Sequence, residues 1–136
     1  MIIKSKKMVY DGRQYTEPEW TLDTAQRTVT HVDPKTMVTT VTDFHTDYVK
    51  DHLRYVTAKH PERLEKLLDE GRIISYLDEL ESRAAEAVDR QVEIWKKSNK
   101  EYLSAVLSGD EMKQVRLTNG LESMARELVY DSIIYA

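Results

Sequence analysis

Between Ile73 and Lys97 the apolar positions fall at a 4-3 spacing: Ile73, Leu77, Leu80, Ala84, Ala87, Gln91 and Ile94, with Val88 and Trp95 widening the stripe. That spacing gathers them on one face of a helix. The opposite flank repeats too, because Glu79 faces Arg83, Glu86 faces Arg90 and Glu93 faces Lys97. Each such pair supports an exposed helix by roughly 0.2–0.5 kcal/mol. About 25 residues rising about 1.5 Å each make a rod of about 38 Å, long for a globular helix. Ala84 and Ala87 thin the stripe in its middle and leave room for a neighbouring helix, for which the C-terminal one, ending near Tyr135, is the expected partner. Gln91 in the stripe implies a buried hydrogen bond that fixes register, or an edge where the bundle opens.

Ahead of this helix the period changes twice. Lys7–Tyr10 and Arg13–Tyr15 flank Asp11-Gly12, a pair that favours a tight type I′ hairpin turn, and Pro18 predicts a loop over residues 16–20 with Trp20 folded back on the core. Residues 27–32 and 37–42 are rich in valine and threonine and are joined by Asp33-Pro34-Lys35-Thr36, a good four-residue turn. From Asp43, expected as a cap, the pattern is helical, with Tyr48, Val49, His52, Leu53 and Val56 on one stripe. His60-Pro61 ends that helix, and Pro61 opens a short one with Leu64, Leu67 and Leu68 inward, Glu62 paired with Lys66, and Gly71 at a left-handed cap.

Behind the long helix, Ser98-Asn99 predicts a bend or stop, and Tyr102, Leu103, Val106 and Leu107 form another apolar turn. Ser108-Gly109-Asp110 reads as a break and a new cap. A last helix then runs from about Glu111 to Ile134 with Val115, Leu117, Leu121, Met124, Leu128 and Val129 as inner positions. Gly120 weakens it by about 1 kcal/mol relative to alanine, or marks a close helix contact. The fold class is therefore α+β, mostly α: an N-terminal β-hairpin layer (1–42) packed on a C-terminal helical bundle (43–136), in a single domain.

Composition narrows function more than fold. The 136 residues bear a formal charge of −4, with 32% charged residues, and mean hydropathy is −0.59. Residues 1–60 hold nine Lys/Arg against eight Asp/Glu, and residues 61–136 hold eleven against sixteen. This balance weighs against strong non-specific nucleic-acid binding, which needs a basic footprint. No apolar run approaches the length of a membrane span, and the start has its cations after the apolar residues, unlike a secretory signal. The absence of cysteine removes disulfides and thiolate metal sites and suits a reducing cytoplasm.

Chemistry-bearing residues are few. Asp43, His45, Asp47 and His52 carry ligand types at helical spacing, so a two-histidine, carboxylate metal site is conceivable. A cap at Asp43, a dipole contact at Asp47 and rim histidines are the simpler reading, and His60 reads as a junction residue. Lys96, Lys97 and Lys100, beside Trp95 and Tyr102 and with Arg116, are candidate phosphate contacts, diluted by Glu93 and Glu101. Asp69, Glu70, Asp78, Glu79 and Glu81 form the densest acidic surface and could meet a basic protein partner. Thr30, Val32, Val38 and Thr40 on the second hairpin are the other candidate partner surface. Tyr130 and Tyr135 read as core or dimer-interface residues. No nucleophile triad or phosphate-binding glycine loop occurs in convincing context.

Residues 52–56 (His-Leu-Arg-Tyr-Val), Lys59-His60-Pro61, Leu67-Leu68, Gly71-Arg72-Ile73, Tyr76-Leu77 and Leu80, with Asn119 and the ending from Ala125 to Ala136, resemble the transposon-encoded protein TnpV family. Tyr10 to Gly12, Tyr15 and Pro18 resemble its lead-in, and residues 23–42 look like an insertion. The resemblance implies a small accessory protein of a bacterial mobile element, without an assigned enzymatic role; such elements also carry inhibitors of host defence, including anti-CRISPR proteins. The expectation is a cytoplasmic, non-enzymatic protein that uses no cofactor or metal and binds a host or element-encoded protein. A homodimer is the second possibility, nucleic acid a weaker one, and no membrane is involved.

Overall fold

A computed structural model describes residues 1–10 and 12–136, the side chains of Tyr15 and Thr16 excepted. The expected Asp11-Gly12 turn type lies outside these residues. The chain forms two compact units, residues 1–81 and 82–136. The boundary falls inside the long helix, so the first two helices belong with the strands.

In the first unit the strands are β1 (Ile2–Lys4), β2 (Met8–Tyr10), β3 (Tyr15–Pro18), β4 (Trp20–Asp23), β5 (Thr28–Val32) and β6 (Thr39–Asp43). They make an antiparallel sheet in the order β1-β4-β5-β6 and a separate β2-β3 ribbon. The predicted hairpins over 7–15 and 27–42 form. The predicted loop over 16–20 does not: Pro18 ends β3 opposite Met8, where its missing N–H costs the short ribbon nothing further along. Ser5 links ribbon and sheet, since its buried hydroxyl donates to the Lys7 carbonyl at 2.9 Å and accepts from the Trp20 N–H at 3.0 Å.

Both turns of the sheet are built alike. Asp23 Oδ1 accepts from the N–H groups of Ala25 and Gln26, and Asp33 Oδ1 from those of Lys35 and Thr36. Four residues after each aspartate the chain turns left-handed, at Arg27 (φ 57°) and Met37 (φ 62°). A side chain there strains the backbone, so the aspartate's hydrogen bonds hold the turn in place of glycine.

Helices α1 (Asp47–Lys59) and α2 (Pro61–Asp69) follow. Asp43 remains in β6 and does not cap α1; Thr46 does, its hydroxyl accepting from the Val49 N–H. The predicted inner faces hold, with Val49, His52, Leu53 and Val56 of α1 and Leu64, Leu67 and Leu68 of α2 buried. Gly71 takes φ +67° between α2 and α3 (Ile73–Ser98). Trp20 closes over it: a Cβ on Gly71 would stand 3.4 Å from Trp20 Nε1. The same indole stacks on His31 with centroids 4.0 Å apart, so Trp20 joins the sheet to the α2–α3 corner. Lys66 pairs with Glu70 at 3.9 Å rather than with Glu62, which lies 3.6 Å from His60.

The long helix is α3, one residue longer than predicted. Ile73, Leu77, Leu80, Ala84, Val88 and Val92 are its buried line, while Ile94 is 53% exposed and Gln91 half-buried. A straight helix turns once in about 3.6 residues, so a strict seven-residue stripe drifts around it, and the inner line moves onto Val88 and Val92. Glu93 pairs with Lys96 at 3.8 Å rather than with Lys97.

In the second unit α3 continues from Ser82, followed by α4 (Lys100–Ser108) and α5 (Glu111–Val129). Asn99 caps α4 by accepting from the Tyr102 N–H at 2.9 Å, Gly109 is left-handed, and Asp110 caps α5 by accepting from the Lys113 N–H at 3.1 Å. Helix α5 passes through Gly120 unbroken, with nothing within 4 Å of the absent Cβ, so no close helix contact exists there. Its buried side chains are Leu121, Ala125 and Val129. The last turn, residues 130–134, widens to π geometry. That stacks a residue over the fifth one on, which brings Ile134 into line with Val129, and both are buried.

Candidate functional site

The sequence placed its ligand-type residues around β6 and α1, and the fold separates them. Asp43, His45 and Asp47 are exposed, whereas His52 is buried and its Nε2 shares a hydrogen at 2.6 Å with the Tyr76 hydroxyl. His52 is thus a satisfied core histidine. Among the described residues no three His, Asp or Glu side chains converge as a metal ligand set.

The acidic surface divides by role. Asp69 Oδ1 accepts from the Lys6 N–H at 2.6 Å, which fastens the segment after β1 to the end of α2. Glu70 is shared between Lys66 and Arg72, at 3.9 and 3.1 Å. Glu81 accepts from the Thr46 hydroxyl at 2.7 Å and so holds the residue that caps α1. Asp78 and Glu79 remain on the exposed side of α3. Three of the five carboxylates are therefore structural fastenings.

On the second hairpin Val32 is 2% exposed and faces the core, so it presents nothing to a partner. Thr30 is half-buried in β5, while Val38 and Thr40 are exposed. Strand β6 is one edge of the sheet, and its Val41 is 59% exposed. The basic candidates lie in the second unit. Lys96 bonds to Glu93 and stands 5.2 Å over the Tyr102 ring, whereas Lys97, Lys100 and Arg116 are exposed. Tyr130 and Tyr135 meet edge to face at 5.4 Å and rim an open hollow of about 540 Å³ with Arg126, Glu127 and Asp131.

The largest departure from the predicted core is in α4 and α5. Leu103, Val106 and Leu107, part of the apolar turn in the sequence, are all exposed; Ala105 is the residue buried on α4. Val115, Met124 and Leu128 of α5 are exposed as well. At the α4–α5 turn Leu107 is 90% and Met112 85% exposed. The sequence signal was present in the alanines: Ala105 and Ala125 define the inner lines, while the bulkier neighbours drew the stripe to the wrong side.

The described residues form a small, mostly helical α+β chain whose helices α4 and α5 expose apolar side chains. The profile of the transposon-encoded protein TnpV family matches residues 34–134, and the chain belongs to that family. It is a transposon-associated accessory protein. The matched stretch begins in the turn before β6, further forward than the likeness at residues 52–136, so β6 lies within the family pattern and β5 precedes it. No curated protein matches the chain, and no solved structure does. Among the described residues no helix is long and apolar enough to cross a membrane.

Proposed function

We propose that this accessory protein is non-enzymatic and acts by binding a protein partner through the apolar surface around the α4–α5 turn. The observation that carries the reading is the exposure of Leu107 and Met112 on either side of left-handed Gly109, with Leu103, Val106 and Val115 exposed nearby. Single exposed apolar residues are ordinary, but five within thirteen positions are a patch of the kind that marks interaction sites. Truncating a central apolar anchor of such a surface costs binding about 1–4 kcal/mol. The earlier candidates on α2 and the start of α3 are weaker, because Asp69, Glu70 and Glu81 already serve internal bonds.

The test is affinity capture from cells that carry the element, using the full chain and a Leu107→Ser/Met112→Ser variant. Both side chains are exposed, so the variant keeps the fold. A protein retained by the parent and released by the variant supports the reading. Capture of no specific protein at low and moderate salt, or equal capture by both chains, contradicts it. Light scattering separates the homodimer form, in which the second copy is the occupant and the same variant is monomeric. An inhibitor of the anti-CRISPR kind is a narrower form, and undiminished nuclease cleavage at excess inhibitor argues against it.

A further inference from the structure

The first unit contains a cavity of about 410 Å³ between the β4–β5 turn and the outer face of α1. Arg27 and Thr24 line it from the turn, and Lys50, Arg54 and Thr57 from the helix. Three cations and no carboxylate face this space. Among the described residues none of the three forms an ion pair. Asp23, the nearest acid in the turn, is already aimed at the amides of Ala25 and Gln26. We propose that this cavity is a binding site for a small phosphate-bearing ligand, with Arg27, Lys50 and Arg54 converging on the phosphate oxygens.

Three features of the site run against local stability and find their reason in a bound anion. Arg27 occupies a left-handed position that glycine would take without strain, yet an arginine stands there and lines the cavity. Lys50 and Arg54 stand four apart on α1, a like-charge spacing that weakens a helix until an anion sits between the two charges. The Thr57 hydroxyl is buried and has no hydrogen-bond partner among the described residues; rotation about its Cα–Cβ bond would offer it to a ligand on the helix wall. Guanidinium groups bind phosphate through paired N–H donors, and a third cation matches the phosphate's second charge.

The size and surroundings favour a small ligand over a polymer. The volume suits a phosphate with an attached sugar-sized group, at the lower end of the range of small-molecule sites. A long polyanion would also meet exposed Asp43 and Asp47, which end β6 and begin α1, and the chain as a whole is at −4.

The experiment follows amide shifts and calorimetric heats of the full chain titrated with inorganic phosphate, with AMP and with a short DNA duplex. The expected result is saturable binding of phosphate or AMP, with shifts confined to residues 24–27 and 50–58. Arg27→Gly is expected to weaken that binding about tenfold or more while leaving the unfolding midpoint unchanged or raised, a combination that a merely structural arginine would not give. Arg54→Gln is expected to weaken it similarly. Tighter binding of AMP than of phosphate assigns the ligand to nucleotides; equal binding assigns it to the free anion. The proposal is overturned by no saturable binding up to about 10 mM, tenfold above a Kd at the weak end of specific association. It is equally overturned by binding that survives both substitutions, or by a duplex that binds more tightly than AMP at the same residues.

Discussion

At the scale of single residues, the buried polar groups explain more of the molecule than the exposed charges do. His52 was legible as part of α1's stripe, but its role was not, because Tyr76 lies twenty-four positions away on α3 and only the fold brings the hydroxyl within 2.6 Å. Tyr76→Phe removes that partner and leaves a buried ring nitrogen without it, so a loss of about 1–3 kcal/mol is expected in urea unfolding. An unchanged midpoint would show that the bond contributes nothing. Asp33 makes a second residue-scale case. The N–H groups of Lys35 and Thr36 hold its carboxyl below the ordinary value of 3.8. A folded value lowered in this way gives stability that is present above the ordinary value and lost as pH falls through the lowered one. An NMR titration of the Asp33 carboxyl is expected to show a midpoint below 3.8, and a midpoint at or above it contradicts the turn geometry.

At the scale of elements, boundaries marked by backbone chemistry were legible, as were the inner faces of α1 and α2, while the faces of α4 and α5 were not. Pro61, Gly71, Asn99, Gly109 and Asp110 each stand where a helix starts or stops, because each changes what the backbone can do at one position. Thr46 took the cap expected of Asp43 because β6 extends through Asp43 to pair with Thr28. The inner lines of α4 and α5 depart from the apolar pattern for a different reason. Small residues at 105 and 125 hold the buried side, and an apolar count ranks them below their exposed leucine and methionine neighbours. The glycines separate these effects experimentally. Gly71→Ala is expected to cost about 1–2 kcal/mol, since φ is +67° and the new Cβ meets Trp20. Gly120→Ala adds a Cβ in open space on an unbroken helix and is expected to stabilise by about 0.4–1 kcal/mol. Equal effects of the two changes in denaturant unfolding would mean that backbone conformation is not what distinguishes them.

At the scale of the whole molecule, the long helix, the strand-then-helix order and the family were readable from the sequence, whereas the division at residues 81 and 82 was not, because it interrupts no pattern within α3. Each unit carries its own candidate surface. The first holds a cavity assembled from a turn and a helix more than twenty residues apart, which no local motif announces. The second exposes Leu107 and Met112, and these are the residues on which the protein-binding reading depends. The most direct measurement is photo-cross-linking in cells, with the photoreactive side chain at position 107 or 112 and, as controls, at positions 83 or 90 on the solvated side of α3. The expected result is a discrete protein adduct from 107 and 112 that is absent from 83 and 90. No adduct at the turn, or the same adducts from all four positions, would contradict the assignment of this surface to a partner.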